Sequence, residues 1–239
     1  WAMGMLGRIR RGRETGEWNF ERDSTVRELL SDGNDGIISS AALIQGLLTA
    51  GATHDETLVG ALAVLTIGAL TAFATQFNES YAERQQILTI YESEQRRLKT
   101  SPEEEFAELV EIYEEKGLTR DLSEQVAHQL MEHDAIGAQM DAEFDIDDVP
   151  GRFDPAKRAA FSALAFLGGS VAPLLLLLLV PRDYRGEFTT VVVVISLALS
   201  GYIAHFSDYT KWWAAMLRTV LLGLAVLGLS TLAGSLVTF

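Results

Sequence analysis

Three carboxylates are the residues in this chain whose spacing most directly suggests chemistry. Glu28, Asp32 and Asp35 lie at i, i+4 and i+7 in the stretch Glu-Leu-Leu-Ser-Asp-Gly-Asn-Asp-Gly, just ahead of a run of apolar residues. On a helix they share one face, over two turns or roughly 10 Å. Acids leading into a membrane span are expensive, and they mark an ion path more often than packing. The same letters also read as a turn, because Asn34-Asp35-Gly36 is turn chemistry. A calcium loop fails on register: the glycine of such a loop would fall on Ile37 and the closing acid on Leu43.

A second polar set lies in the next apolar run, where Thr71, Thr75 and Asn78 are spaced i, i+4, i+7 with Gln76 beside them. Neutral oxygens of this kind line an ion path or simply satisfy nearby carbonyls. Glu124, His128 and Glu132, at i, i+4, i+8, form either a metal-holding face or a solvated stripe; His133 follows. His205 and Asp208 mark the end of a later apolar run, where the histidine relays protons or merely packs. No catalytic triad, phosphate loop or His-rich cluster is present, so no enzyme and no prosthetic group is expected.

The elements that must position these residues follow from composition. Of 239 residues, 48% are hydrophobic, yet 52 are Lys, Arg, Asp or Glu, so the two classes are segregated into blocks. The net charge is −14, and residues 79–150 account for all of it, with 20 acidic and 6 basic side chains. Nucleic acid is not a partner for such a segment; divalent cations are. The absence of cysteine excludes disulfides and thiolate metal sites. Arg8, Arg10, Arg11 and Arg13 are followed by more polar chain, unlike a cleavable signal peptide.

The expected fold is all-α: a polytopic membrane protein with five transmembrane helices and a cytoplasmic helical metal-binding domain inserted between the second and third. Residues 1–27 form a polar cytoplasmic arm, either disordered or lying at the interface as an amphipathic helix. Residues 28–78 hold spans one and two, the apolar part of the first being Ile37 to Ala52 and the second running from Leu58 to Phe77. No Gly or Pro interrupts the pattern after Gly68 until Thr100, so span two is expected to continue as one long helix. Residues 79–155 form the acidic domain. In it, Ser101-Pro102-Glu103-Glu104 reads as a capping box opening a helix closed near Gly117. Further helices run from Asp121 to His133 and from Asp134 to Phe144. Residues 156–239 hold spans three to five: Lys157 to Val180 with Pro173 inside it, Phe188 to Phe206, and Lys211 to Phe239.

Orientation follows from basic residues. Arg8, Arg10, Arg11, Arg13, Arg22 and Arg27 precede span one, Arg152, Lys157 and Arg158 precede span three, and Lys211 precedes span five. The opposite side has only Arg182 and Arg185. The N-terminus and acidic domain are therefore expected in the cytoplasm and the C-terminus outside, in a cell membrane.

This arrangement resembles the vacuolar iron transporter family of plants, yeasts and prokaryotes. The marks run from about Val26 onward: Arg27-Glu28 and Asp35-Gly36; Pro102-Glu103-Glu104-Glu105 through Ile112-Tyr113; Gly117-Leu118; Pro155; Gly168-Gly169 with Pro173-Leu174; and Gly201-Tyr202. The resemblance implies that metal is captured in the acidic domain by Glu94, Glu105, Glu108, Met140 and Glu143, and passes along Glu28 and Asp35; it is silent on Asp32. Carboxylates suit hard divalent ions, and a thioether adds preference for softer Fe²⁺. Four positions depart. Arg97 stands at a family glutamate and Gln139 at a family methionine, while Val64 and Ala72 replace the span-two glutamate and methionine. Thr71, Thr75, Gln76 and Asn78 are the remaining oxygen donors there.

The resulting expectation is an exporter of Fe²⁺, with Mn²⁺ second, driven by proton antiport, working as a homodimer with the path between subunits. The other reading is a membrane-tethered acidic metal buffer or sensor without transport, favoured by the missing span-two ligands.

Overall fold

The computed structural model describes residues 20–181, 184–204 and 211–237. They form seven α-helices: α1 (Phe20–Thr49), α2 (His54–Thr100), α3 (Pro102–Glu115), α4 (Arg120–Phe144), α5 (Asp154–Leu179), α6 (Arg185–Ala204) and α7 (Trp212–Ser235). The basic cluster Arg8–Arg13 and the pair His205 and Asp208 lie outside the described residues.

The stretch that read as either a turn or a column is helix. α1 runs unbroken through Gly33, Asn34 and Gly36, and it already begins at Phe20, inside the segment expected to be a polar arm. Packing outweighs the local turn preference of these residues. A β-carbon on Gly36 would run into the Phe166 carbonyl, and one on Gly169 into the Gly33 carbonyl. The glycines thus let two backbones approach where any side chain would hold them apart. Ser170 Oγ donates to Phe166 O (2.9 Å) and to Gly36 O (3.3 Å) across the same crossing. Further along, a β-carbon on Gly234 would meet the Gly46 carbonyl, and Ser230 Oγ donates to Ala42 O (2.5 Å).

α2 is 47 residues long, as the unbroken pattern predicts. Its start holds a capping box that the sequence reading passes over. Thr53 N and Oγ1 donate to Glu56 Oε2 (2.7 and 2.8 Å), and Glu56 N donates back to Thr53 Oγ1 (3.4 Å). The expected box at Ser101 is not formed. Ser101 sits at φ −141°, ψ 55°, outside the region that aims a cap hydroxyl at the helix, and its side chain caps nothing, although Pro102 does open α3. The two helices expected either side of Asp134 form α4, with non-helical dihedrals at Asp134. There Asp134 Oδ1 accepts from Gly137 N (3.0 Å), capping the second half.

The chain divides into two compact units. One comprises Asn78–Pro155 among its described residues and is built from the later part of α2 with α3 and α4. Its core is Leu109, Val110 and Ala127, with Phe106, Tyr113 and Met131 packed against them. Arg84 Nε donates to Pro150 O (3.0 Å), fastening the linker to α2. The other unit holds α1, the earlier part of α2 and the helices from Ala156 onward. Here α1 is central: Ile37, Ala41 and Ala42 pack with Val193, Leu197 and Leu227, while Ile44 packs with Ala61 and Leu177.

Four helices, α2, α5, α6 and α7, are long and apolar enough to cross a membrane. The outward faces of this unit are large apolar side chains, among them Ile67, Leu70, Leu179, Ile195 and Leu229. α1 is not among the four; its first half carries Glu28, Asp32 and Asp35. Pro173 lies inside α5 and is fully buried.

Candidate functional site

In α1 the three acids differ in exposure. Glu28 and Asp35 are exposed, with Ser31 and Ser39 on the same face, while Asp32 is half-buried. Seven residues is close to two full turns, so Glu28 and Asp35 stand nearly above one another and Asp32 is rotated out of line. Among the described residues no basic side chain forms an ion pair with Glu28 or Asp35. The contact to the second polar set is Gln76, whose Nε2 donates to Glu28 Oε2 over 3.4 Å. Thr71 and Thr75 are exposed on α2, and Asn78, also exposed, is the first residue of the acidic unit.

The acidic unit arranges its carboxylates differently. Glu94 and Glu105 are almost fully buried, at 1% exposure each, and Glu108 is half-exposed. All three converge on Arg97. Its Nε contacts Glu105 Oε1 (2.7 Å), Nη2 contacts Glu108 Oε2 (2.5 Å), and Nη1 lies 3.5 Å from Glu94 Oε1. The planar fork of the guanidinium matches carboxylate oxygens on several sides at once. Despite this partner, Glu105 titrates above the usual carboxylate range; burial is the main cause and Glu94 adds to it. Glu143 is also raised, by burial and by the negative charge of Glu108. Met140 is buried and Glu143 exposed.

The other departure, Gln139, is completely buried, and its Nε2 donates to Glu105 O (2.7 Å). Glu94 Oε2, Glu105 Oε2 and Gln139 Oε1 are buried without a hydrogen-bond partner. Among the described residues no three His, Asp or Glu side chains stand in a metal-holding arrangement. The acids expected as ligands are thus brought together, but around a cationic side chain. That role for Arg97 was legible in principle, because Glu94 and Arg97 are spaced i, i+3.

The stripe through His128 is solvated. His128 is exposed with Nδ1 3.6 Å from Glu132 Oε2, and Glu124 is taken by Arg120 (3.1 Å).

The model of the VIT family matches residues 26–235. The chain belongs to the VIT family. The vacuolar iron transporter of Acanthamoeba castellanii is 30% identical over 174 residues, which cover 72% of this chain and 63% of that protein. Vacuolar iron transporter 2 of Oryza sativa subsp. japonica is 25% identical over 213 residues, covering 87% and 85%. Vacuolar iron transporter 1 of Arabidopsis thaliana is 25% identical over 194 residues, covering 80% and 78%. Family membership agrees with the resemblance seen in the sequence and with a multi-pass membrane protein.

Within this VIT-family chain the span-two departures are apolar positions in fact as well as in type. Val64 and Ala72 are half-buried, and the Ala72 carbonyl accepts a hydrogen bond from Ser162 (3.3 Å) as part of the α2–α5 packing.

Proposed function

We propose that the protein carries Fe²⁺ across a membrane, out of the cytoplasm, with Mn²⁺ the next ion in preference. Family membership supports iron, since the relatives above are named as iron transporters. The observation that carries the path is the exposed face of α1: two carboxylates and two hydroxyls on a helix whose continuation is packed among apolar helices. Carboxylates left open to a membrane would be costly, so the reading includes a second copy of the chain covering this face, with the path between subunits. α1 then serves as the fifth span, and the N-terminus and acidic unit lie in the cytoplasm.

In this reading the acidic unit raises the local concentration of metal, and the ion crosses along Glu28 and Asp35. Because a carboxylate must shed its proton to take a metal ion, protons move against metal, which gives antiport. Asp32, Thr71, Thr75 and Gln76 are the further oxygen donors of this unit that the reading draws on. The test is Fe²⁺ and Mn²⁺ uptake by liposomes holding the purified protein under an imposed proton gradient. Uptake above protein-free liposomes is expected; its absence for both ions would sink the reading. Val64 and Ala72 favour the second reading, a membrane-tethered metal buffer or sensor. In that case Asp35→Ala would leave metal tolerance in cells unchanged.

A further inference from the structure

We propose that Arg97 is a tethered cation seated in the carboxylate cluster of the acidic unit, and that divalent metal reaches those oxygens only by displacing it. The inference rests on reading this unit as metal-facing and concerns what governs its affinity. Three carboxylates meet one guanidinium, each through a single named contact, at 2.5, 2.7 and 3.5 Å. Two of these carboxylates, Glu94 and Glu105, are buried to 1% exposure, where an uncompensated charge is strongly disfavoured. Arg97 supplies one positive charge against three negative ones, so the cluster has capacity for more cation than it holds.

A second observation points the same way. The Oε2 oxygens of Glu94 and Glu105, together with Gln139 Oε1, are buried and without a hydrogen-bond partner. Buried acceptors without donors are uncommon in folded proteins, and here three of them belong to adjoining residues of one cluster. Gln139 is joined to Glu105 by its own amide, which donates to the Glu105 carbonyl.

The guanidinium can leave. Its side chain is 44% exposed, so a rotation of its long stem carries the charge into solvent while Glu94 and Glu105 stay in place. It cannot leave by losing its proton, because an arginine stays charged at any physiological pH. Arg97 therefore competes with metal permanently. It sets a threshold of metal concentration below which the cluster remains closed on itself. This also gives a physical reason why no metal-holding arrangement of three acids is found among the described residues: the carboxylates are drawn toward the fork of a guanidinium, not toward a single point.

The experiment is Mn²⁺ binding to the full-length protein in detergent, read by calorimetry and by the loss of the free-ion paramagnetic resonance signal. Arg97→Gln is expected to bind Mn²⁺ about tenfold tighter than the wild type or better, since the metal no longer has to break the charge-assisted contacts of the guanidinium to reach the carboxylates. Adding Glu105→Gln to Arg97→Gln should abolish that gain. Equal affinity of wild type and Arg97→Gln, or a gain that survives Glu105→Gln, overturns the proposal. If Arg97→Gln does not fold, Arg97→Lys keeps one charge but cannot bridge three carboxylates. It should bind Mn²⁺ more tightly than the wild type, and equal affinity overturns the proposal as well. Binding is measured apart from transport. Inert liposomes beside a tighter-binding Arg97→Gln would remove the transport reading and leave the role of Arg97 standing.

Discussion

The protein has two sets of carboxylates, and they are held in opposite ways. Those of α1, Glu28 and Asp35, are strung along the exposed face of one helix, with no basic partner among the described residues. Those of the acidic unit come from two helices, α2 and α3, and close on Arg97. The difference lies in what neutralises them. A cluster that holds its own cation, even a partly compensating one, contributes to a fold and can be opened; an open row of acids on an apolar unit is tolerable only if something else, an ion or another copy, supplies the compensation. Residue type alone does not distinguish these cases. Twenty of the acids lie in residues 79–150, yet the two on which the transport reading depends lie outside them.

The largest effect expected from breaking this contrast is at Asp35. Asp35→Asn keeps size and hydrogen bonding while removing the charge. Fe²⁺ uptake in liposomes is expected to fall to the protein-free background, with α1 still folded. Glu105→Gln in the acidic unit should lower the rate but not abolish it. If Asp35→Asn transports like the wild type, the contrast between the two sets has no functional meaning.

A second effect sharpens how the α1 acids are held. Gly36→Ala places a methyl group against the Phe166 carbonyl and should destabilise the apolar unit by about 1–3 kcal/mol, as overpacking does. Gly33→Ala has the Ala165 carbonyl at 3.6 Å, an ordinary contact. There the helix preference for alanine, worth about 0.5–1 kcal/mol, should make the change neutral or stabilising. Thermal unfolding in detergent distinguishes the two. Similar behaviour at both positions would mean that the crossing with α5 is looser than Gly33 and Gly169 make it.

Much of this architecture was legible in the sequence, and the exceptions have physical reasons. The long α2 helix, the boundary at Asp134 and the acidic helical unit follow from periodicity and charge, which act over many residues. The state of Asp32–Gly36 did not, because the preference of Asn-Asp-Gly for a turn is overridden by Gly169, Phe166 and Ser170, which lie far away in the chain, Ser170 being 134 residues from Gly36. Thr53 and Glu56 carried a capping signal as good as the one at Ser101, but the choice between them depends on the backbone at Ser101. At the candidate site the sequence named acids that the fold brings together, but not what they gather around. Arg97 stood out as a departure, and only its position in the fold shows that it gathers Glu94, Glu105 and Glu108.

The acidic unit should also respond to pH with a definite sign. Glu105, Asp141 and Glu143 all titrate above their ordinary values, mainly through burial, so the folded unit favours their protonated forms. Stability from these groups is full below the ordinary carboxylate range and is lost as pH rises through their raised values. Urea unfolding of α3 and α4 in the intact protein should need more urea at pH 5 than at pH 8. Metal binding runs the other way, weakening over the same interval as the carboxylates take up protons. Glu143→Gln should flatten the stability profile. A unit that loses stability on acidification from pH 8 to pH 5 would show that Arg97 outweighs burial as the controlling influence.

The smallest effect is expected where α2 meets the α1 row. Gln76 reaches Glu28 by a bond of 3.4 Å, at the long end of what counts as one, so it orients Glu28 only weakly. Removing a side chain that orients a metal ligand commonly costs about 10–100-fold in affinity, and a bond this long should cost less than that. Gln76→Ala is therefore expected to reduce Fe²⁺ transport by less than about tenfold, chiefly as a weaker apparent affinity. The comparison with Asp35→Asn decides what the neutral donors of α2 do. If the two variants are equally inactive, Gln76 is a ligand in its own right, and an amide supplies on α2 what the apolar Val64 and Ala72 cannot. If Gln76→Ala is indistinguishable from wild type, α2 contributes only packing and the row on α1 carries the coordination alone.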